Sequence, residues 1–151
     1  MHMARLALLA QLGSTLPLVG LIWFVQIVAY PLFFEASSLS PRAFNSYHLA
    51  HSTRITFLVL PLMLTELVAA GAWLFWRPTG VSLAFCCVGL ALVVVAWGTT
   101  GLLSVPRHEI LARGFEAGAH RSLVATNWIR TACWSVRGGM LLWLLARALP
   151  D

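Results

Sequence analysis

The chain has 151 residues, 60% of them hydrophobic and only 10% charged, where an ordinary soluble domain carries roughly 25% charged residues. So few charges cannot cover the surface of a soluble globule. The formal charge of +5 comes from ten basic residues, all arginine, spread along the chain; it suits anionic lipid headgroups, and no nucleic-acid partner is expected.

Crossing the ~30 Å hydrocarbon core takes about 20 apolar residues in a helix. Residues 6–34 supply the first such run, too long for the apolar part of a signal peptide and followed by no small-residue cleavage site. Pro31 is expected to kink this helix, and Ser37 and Ser38 to open a loop. The second helix starts at Ser40, a suitable N-cap, with Pro41 at the first helical position; its apolar run is 55–76, interrupted only by Glu66. "RPTG" then makes a tight turn into a third run, 81–105, which is expected to stop at Pro106. The polar stretch "RHEILARGFEAGAHR" carries Ile110, Leu111 and Phe115, and reads as a short amphipathic helix at the interface. The fourth run, 122–146, contains Arg130 and Arg137. The expectation is an all-α integral membrane four-helix bundle forming a single domain over 1–151, with an interfacial helix between helices three and four. Backbone groups in lipid must be satisfied within the segment, which commits the chain to helices. A bacterial inner membrane is the expected location.

Alignment of the two halves at an offset of about 75 residues sets Pro31 opposite Pro106, His51 opposite Asn127, and Arg54 opposite Arg130. Such a parallel repeat relates halves by an axis along the membrane normal. The three cysteines, Cys86, Cys87 and Cys133, form no C-x-x-C pair and read as small buried hydrophobes.

Ionisable groups inside spans are costly and usually face the bundle interior, where they mark function. Residues three and four apart share a helical face, so Tyr47, His51 and Arg54 form one expected stripe with His48 beside it. Asn127, Arg130, Trp134 and Arg137 form another. At ~1.5 Å rise per residue, Gln26, Tyr30, Trp97 and Thr100 fall at a similar depth, with His108 at the rim; Trp97, Trp128 and Trp134 are placed to line a cavity there. Glu66 lies deeper, near Arg137, and the two are expected to form a structural ion pair, because an unpaired buried charge is expensive.

Two chemistries fit the convergence. His48, His51 and His108, with Glu35 or Glu109 adding a carboxylate, could hold iron, copper or zinc; haem needs opposed histidines within the bundle, and only His51 lies inside. Without a metal, His51 could act as a base, Asn127 could orient, and Arg54 and Arg130 could hold the negative charge of an enolate or phenolate, which reacts with oxygen directly. The bland alternative is that His48 sits among headgroups while His51 hydrogen-bonds Asn127 or Tyr30.

"WFVQIVAYPLF", "FNSYHLAHSTRI" and "NWIRTACWSVR" resemble segments of the small four-span membrane proteins related to anthrone oxygenases. The resemblance implies a four-helix membrane bundle that oxidises polycyclic phenolic substrates with oxygen and no established cofactor, with His51, Asn127 and Arg130 as site residues. The expected function is accordingly a membrane-embedded, oxygenase-like oxidoreductase acting on a small hydrophobic molecule. Two alternatives stand beside it. One is an accessory subunit that binds lipid or pigment, as a homo-oligomer or within a larger membrane complex, through small-residue faces such as Gly138–Gly139. The other is a carrier of small anions.

Overall fold

The computed structural model describes residues 2–38 and 40–148. Among them there is no strand, and four long helices carry almost every residue: α1 (His2–Ser37), α2 (Pro41–Phe75), α3 (Leu83–Arg113) and α4 (Ala117–Ala148). The first three are long and apolar enough to cross a membrane, as in an integral membrane protein. Their outer faces carry Phe57, Val68, Phe75 and Leu102, each more than 70% exposed, a surface that water would not tolerate but lipid does.

The helix starts follow from local chemistry. Ser40 accepts from the Ala43 N–H at 3.1 Å with Pro41 next to it, as its sequence position predicts, and Ser82 caps α3 through the Phe85 N–H. Ahead of α4, the Glu116 carboxylate accepts from the Gly118 and Ala119 N–H groups. These two hydrogen bonds hold its carboxyl below the usual glutamate range. At the other end of α1, the Ser37 and Ser38 hydroxyls donate to the carbonyls of Phe34 and Glu35, each at 2.6 Å. In the turn between α2 and α3, Gly80 adopts φ +82, a conformation that other residues rarely enter.

Helix three does not end at Pro106. It continues to Arg113, so the separate interfacial helix expected between helices three and four is absent and its residues form the last turns of α3, with Leu111 fully buried. The reason lies one turn upstream. A proline ring clashes with the carbonyl four residues before it and lacks a donor for it; here residues Thr100–Ser104 form a π-helical turn in which the Val105 N–H reaches back five residues to Thr100. The wider turn carries the helix through the proline. Pro31 is accommodated in the same way by Val25–Ala29, with the Tyr30 N–H on the Val25 carbonyl. Both π turns stand at the repeat offset of about 75 residues.

Each helix packs on two others: α1 on α2 and α4, and α3 on the same two. Apolar layers alternate with polar ones along the chain of contacts. Phe33, Phe44, Leu111 and Leu123 fill the end near the α1–α2 loop, Leu18, Ile22, Met63 and Trp134 the middle, and Ala7, Trp73, Cys86 and Leu141 the far end. Between the second and third layers Arg137 Nε lies 2.8 Å from Glu66 Oε1. Thr15 and Trp134 also donate to Glu66, at 2.6 and 3.0 Å, while the remaining Arg137 donors meet Gln11 Oε1 and the Gly89 carbonyl. Residues of all four helices therefore meet at one buried ion pair. A Cβ on residue 89 would stand 2.8 Å from Arg137 Nη1, so glycine is what permits the contact.

Candidate functional site

Between the first two apolar layers lies the second polar group, beside a cavity of about 530 Å³, within the usual range of small-molecule sites. Its centre is Arg130. Nε donates to Asn127 Oδ1 at 3.0 Å, Nη1 to Thr100 Oγ1 at 3.3 Å, and Nη2 to both Asn127 Oδ1 and the Tyr30 hydroxyl, the latter at 3.1 Å. Asn127 is fixed in turn by its Nδ2–H bond to Gln26 Oε1 at 2.6 Å, and Gln26 by the Val124 carbonyl. Every acceptor around Arg130 is neutral. The guanidinium is buried and lines the cavity with no carboxylate on it, whereas the other buried arginine among the described residues, Arg137, lies one apolar layer away and holds Glu66.

From Arg130 a chain of hydrogen bonds runs to the second and third helices. The Tyr30 hydroxyl lies 3.3 Å from His108 Nε2, and His108 Nδ1 lies 3.0 Å from His48 Nε2. Arginine can only donate, so the Tyr30 oxygen accepts from Arg130. With the Tyr30 proton turned to His108 Nε2, His108 carries its own proton on Nδ1 and donates to His48 Nε2. His48 then bears its proton on Nδ1, an atom that is buried without a partner. Two more cavity-lining residues, His51 and Trp97, have a buried ring nitrogen without a partner, and Ser52 a buried hydroxyl. An unmet buried polar group costs about 1–3 kcal/mol, so their concentration around one cavity marks a place built for something else to fill.

The sequence-derived candidates divide. Asn127, Arg130, His48 and His108 are brought into one network, together with Gln26, Tyr30 and Thr100. His51 lines the cavity but bonds neither Asn127 nor Tyr30; its ring instead stands edge-on to Phe33 at 5.0 Å. Arg54 is not in the site: it is exposed, on the outer side of α2. The inward face of α2 runs through Phe44, His48, Met63, Glu66, Ala70 and Trp73. On that register Tyr47 and Arg54 point outward, because one residue turns a helix by about 100°. Trp97 and Trp134 line the cavity, but Trp128 is half exposed and packs edge-on against Trp23 at 5.6 Å.

The three histidines are not gathered as a metal-ligand set. Both ring nitrogens of His108 are engaged, one by Tyr30 and one by His48, and no group of three His, Cys, Asp or Glu side chains among the described residues is placed to hold a metal. Glu35 is exposed and absent from the cavity wall, whereas Glu109 lies on the exposed part of that wall. The residues as arranged do not fit iron, copper or zinc.

His120 joins the site region without any sequence signal that marks it. Its Nε2 lies 2.8 Å from the Tyr30 carbonyl, and Arg107 Nε lies 2.6 Å from Ser122 Oγ. Both contacts hold α4 against the elements that carry Tyr30 and His108. Neither residue repeats at a period that would have marked it. Comparison with protein families, with curated proteins and with solved structures finds no match to the chain.

Proposed function

We propose that this protein is a membrane-embedded, oxygenase-like oxidoreductase acting on a small hydrophobic molecule with an ionisable oxygen, and that α4 also crosses the membrane to complete a four-helix bundle. The observation that carries the reading is Arg130: a buried cation on an apolar cavity, surrounded only by neutral acceptors. A charge so placed is expensive, and a ligand that brings or develops negative charge offsets the cost. The fourth helix falls short on hydropathy because of its arginines, but Arg130 and Arg137 both point inward and are fully engaged, which is where intramembrane arginines belong.

The network gives each group a task. A substrate enol or phenol placed at Tyr30 passes its proton to the Tyr30 oxygen as Tyr30 hands its own to His108 Nε2 and His108 hands on to His48 Nε2. The proton ends on His48 as imidazolium, and the enolate is left beside Arg130. Preorganised donors of this kind are typically worth 10²–10³ in rate. The carbanion form then takes up dioxygen: the original CH₂ carbon becomes a carbonyl, one oxygen atom stays on carbon, and the other leaves as water with the remaining C–H hydrogen and the proton returned from His48. Carbon loses four electrons and dioxygen gains them, so no further reductant is needed. Asn127 and Gln26 hold Arg130 in place, and the resemblance to anthrone oxygenases points to the same chemistry.

The test is oxygen uptake by vesicles containing the protein with anthrone as substrate, corrected for empty vesicles. One dioxygen consumed per anthraquinone formed is expected, with Arg130→Met slower by about 10²-fold or more. Saturable anthrone binding without uptake would replace the enzyme by a binding subunit or carrier.

A further inference from the structure

The cavity walls are unequal in a way that shows where it opens. On α1 and α4 its lining residues, among them Leu18, Val25, Tyr30, Arg130 and Trp134, are all buried or half-buried. On α2 and α3 the wall includes the exposed Leu49, Thr56 and Leu60, facing the exposed Gly101, Val105 and Ala112. The opening is therefore the seam between α2 and α3. Both helices are long and apolar enough to cross a membrane, so a seam along their sides faces hydrocarbon. At its edge a Cβ on Gly101 would meet nothing within 4 Å, and Gly101 sits inside the π turn Thr100–Ser104.

The cavity is also long and graded. It extends from His48 to Met63 along α2 and from Trp97 to Ala112 along α3, about 20 Å at ~1.5 Å rise per residue. Tyr30, His48, His51, His108 and Arg130 mark one part of it; Leu18, Ile22, Val59, Met63 and Trp134 line the other.

We infer that the cavity is loaded sideways from the bilayer, between α2 and α3, by an elongated amphiphile whose acidic oxygen reaches Arg130 while its apolar body lies against Met63 and Trp134. This rests on the reading of Arg130 as the holder of negative charge. A ligand already dissolved in the membrane meets a side opening without leaving lipid, and its head exchanges interfacial water for the Arg130 and Tyr30 donors.

The experiment uses the full chain in phosphatidylcholine vesicles with a 16-carbon fatty acid bearing a photoactivatable diazirine in its chain, followed by mass-spectrometric mapping of the labelled residues. Wild type is expected to label at Met63 and Trp134, and Arg130→Met to reduce that labelling by about tenfold, equivalent to about 1.4 kcal/mol. Gly101→Trp and, on the facing wall, Thr56→Trp should slow it by a similar factor; either one suffices if the other does not fold. Loss with Arg130→Met but unchanged labelling in both tryptophan variants overturns lateral entry and leaves the charge reading standing. Cavity labelling indifferent to Arg130→Met overturns the charge reading, whatever the portal variants do. Wild-type label confined to the outer faces overturns the inference outright, and anthrone turnover in the same vesicles then shows whether the site reading survives it.

Discussion

Arg54 and Arg130 stand at matching places in the two halves of the chain, yet one is exposed and the other lies in a polar network beside a cavity. What separates them is helical phase. Arg130 shares its face with Asn127, Trp134 and Arg137, all buried, whereas Arg54 falls on the flank of α2 that carries the exposed Tyr47, Phe57 and Leu58. Arg54→Ala should therefore leave oxygen uptake within about twofold, as exposed substitutions usually change energies by no more than ~0.5 kcal/mol, while Arg130→Met slows it severely. Equal losses from the two, measured in the same vesicles, would mean that Arg54 reaches the substrate after all. Tyr30 offers a finer probe: Tyr30→Phe keeps the ring against Phe33 at 5.7 Å but removes the hydroxyl that joins Arg130 to His108. With the relay cut, uptake of oxygen should fall by about 10²-fold while anthrone binding, followed by fluorescence quenching, changes little. A parallel loss of binding would make Tyr30 an anchor and not a proton carrier.

At the scale of the element, the π turns explain how α1 and α3 stay continuous through Pro31 and Pro106, and the second of them brings Thr100 onto Arg130 and leaves Gly101 at the cavity mouth. Their equal spacing from the prolines supports the repeat in backbone form, while the side chains of the two halves have diverged. The start of α4 depends on Glu116, whose carboxylate caps the Ala119 and Gly118 N–H groups and lies next to the positive end of the helix. Its carboxyl is held below the ordinary range, so the folded form binds its proton less readily than the unfolded one. The contribution to helix start is complete above the ordinary glutamate pKa and is lost as pH falls through the lower, folded value. A carbon-detected NMR titration of Glu116 should give a midpoint below that of glutamate in a model peptide; a midpoint at or above it would mean the cap does not form.

Across the whole molecule the polar layers hold the helices in register. Glu66 and Arg137 join α2 to α4, and Gln11, Thr15 and Gly89 bring in α1 and α3. In a fully desolvated pair, removal of one partner costs about 3–5 kcal/mol because the other charge is stranded, while removal of both costs less than the sum. Thermal unfolding in mild detergent should show this pattern for Glu66→Leu, Arg137→Met and the double variant; additive losses would deny the coupling. Glu66→Gln should lower stability but keep oxygen uptake in the surviving folded protein, since Glu66 does not line the cavity and its hydrogen bond to Trp134 reaches only the back of the wall.

Helical character, the first three membrane-length runs, the Ser40 start and the pairing of Glu66 with Arg137 are all legible in the order of residues, because apolar length, capping chemistry and the cost of an unpaired charge act locally or along one axis. That order also draws Arg130, Asn127, Gln26 and Tyr30 to a common depth, since rise per residue is fixed. Which side of each helix faces inward is set by packing: an error of one residue in phase rotates a side chain by about 100°, and Arg54 and Trp128 both turn outward. Tertiary packing likewise carried α3 past Pro106 through a π turn and set His48 against His108 where a metal set had been expected. The opening between α2 and α3, finally, belongs to neither helix alone; it exists because their facing residues leave space that no single-chain pattern records.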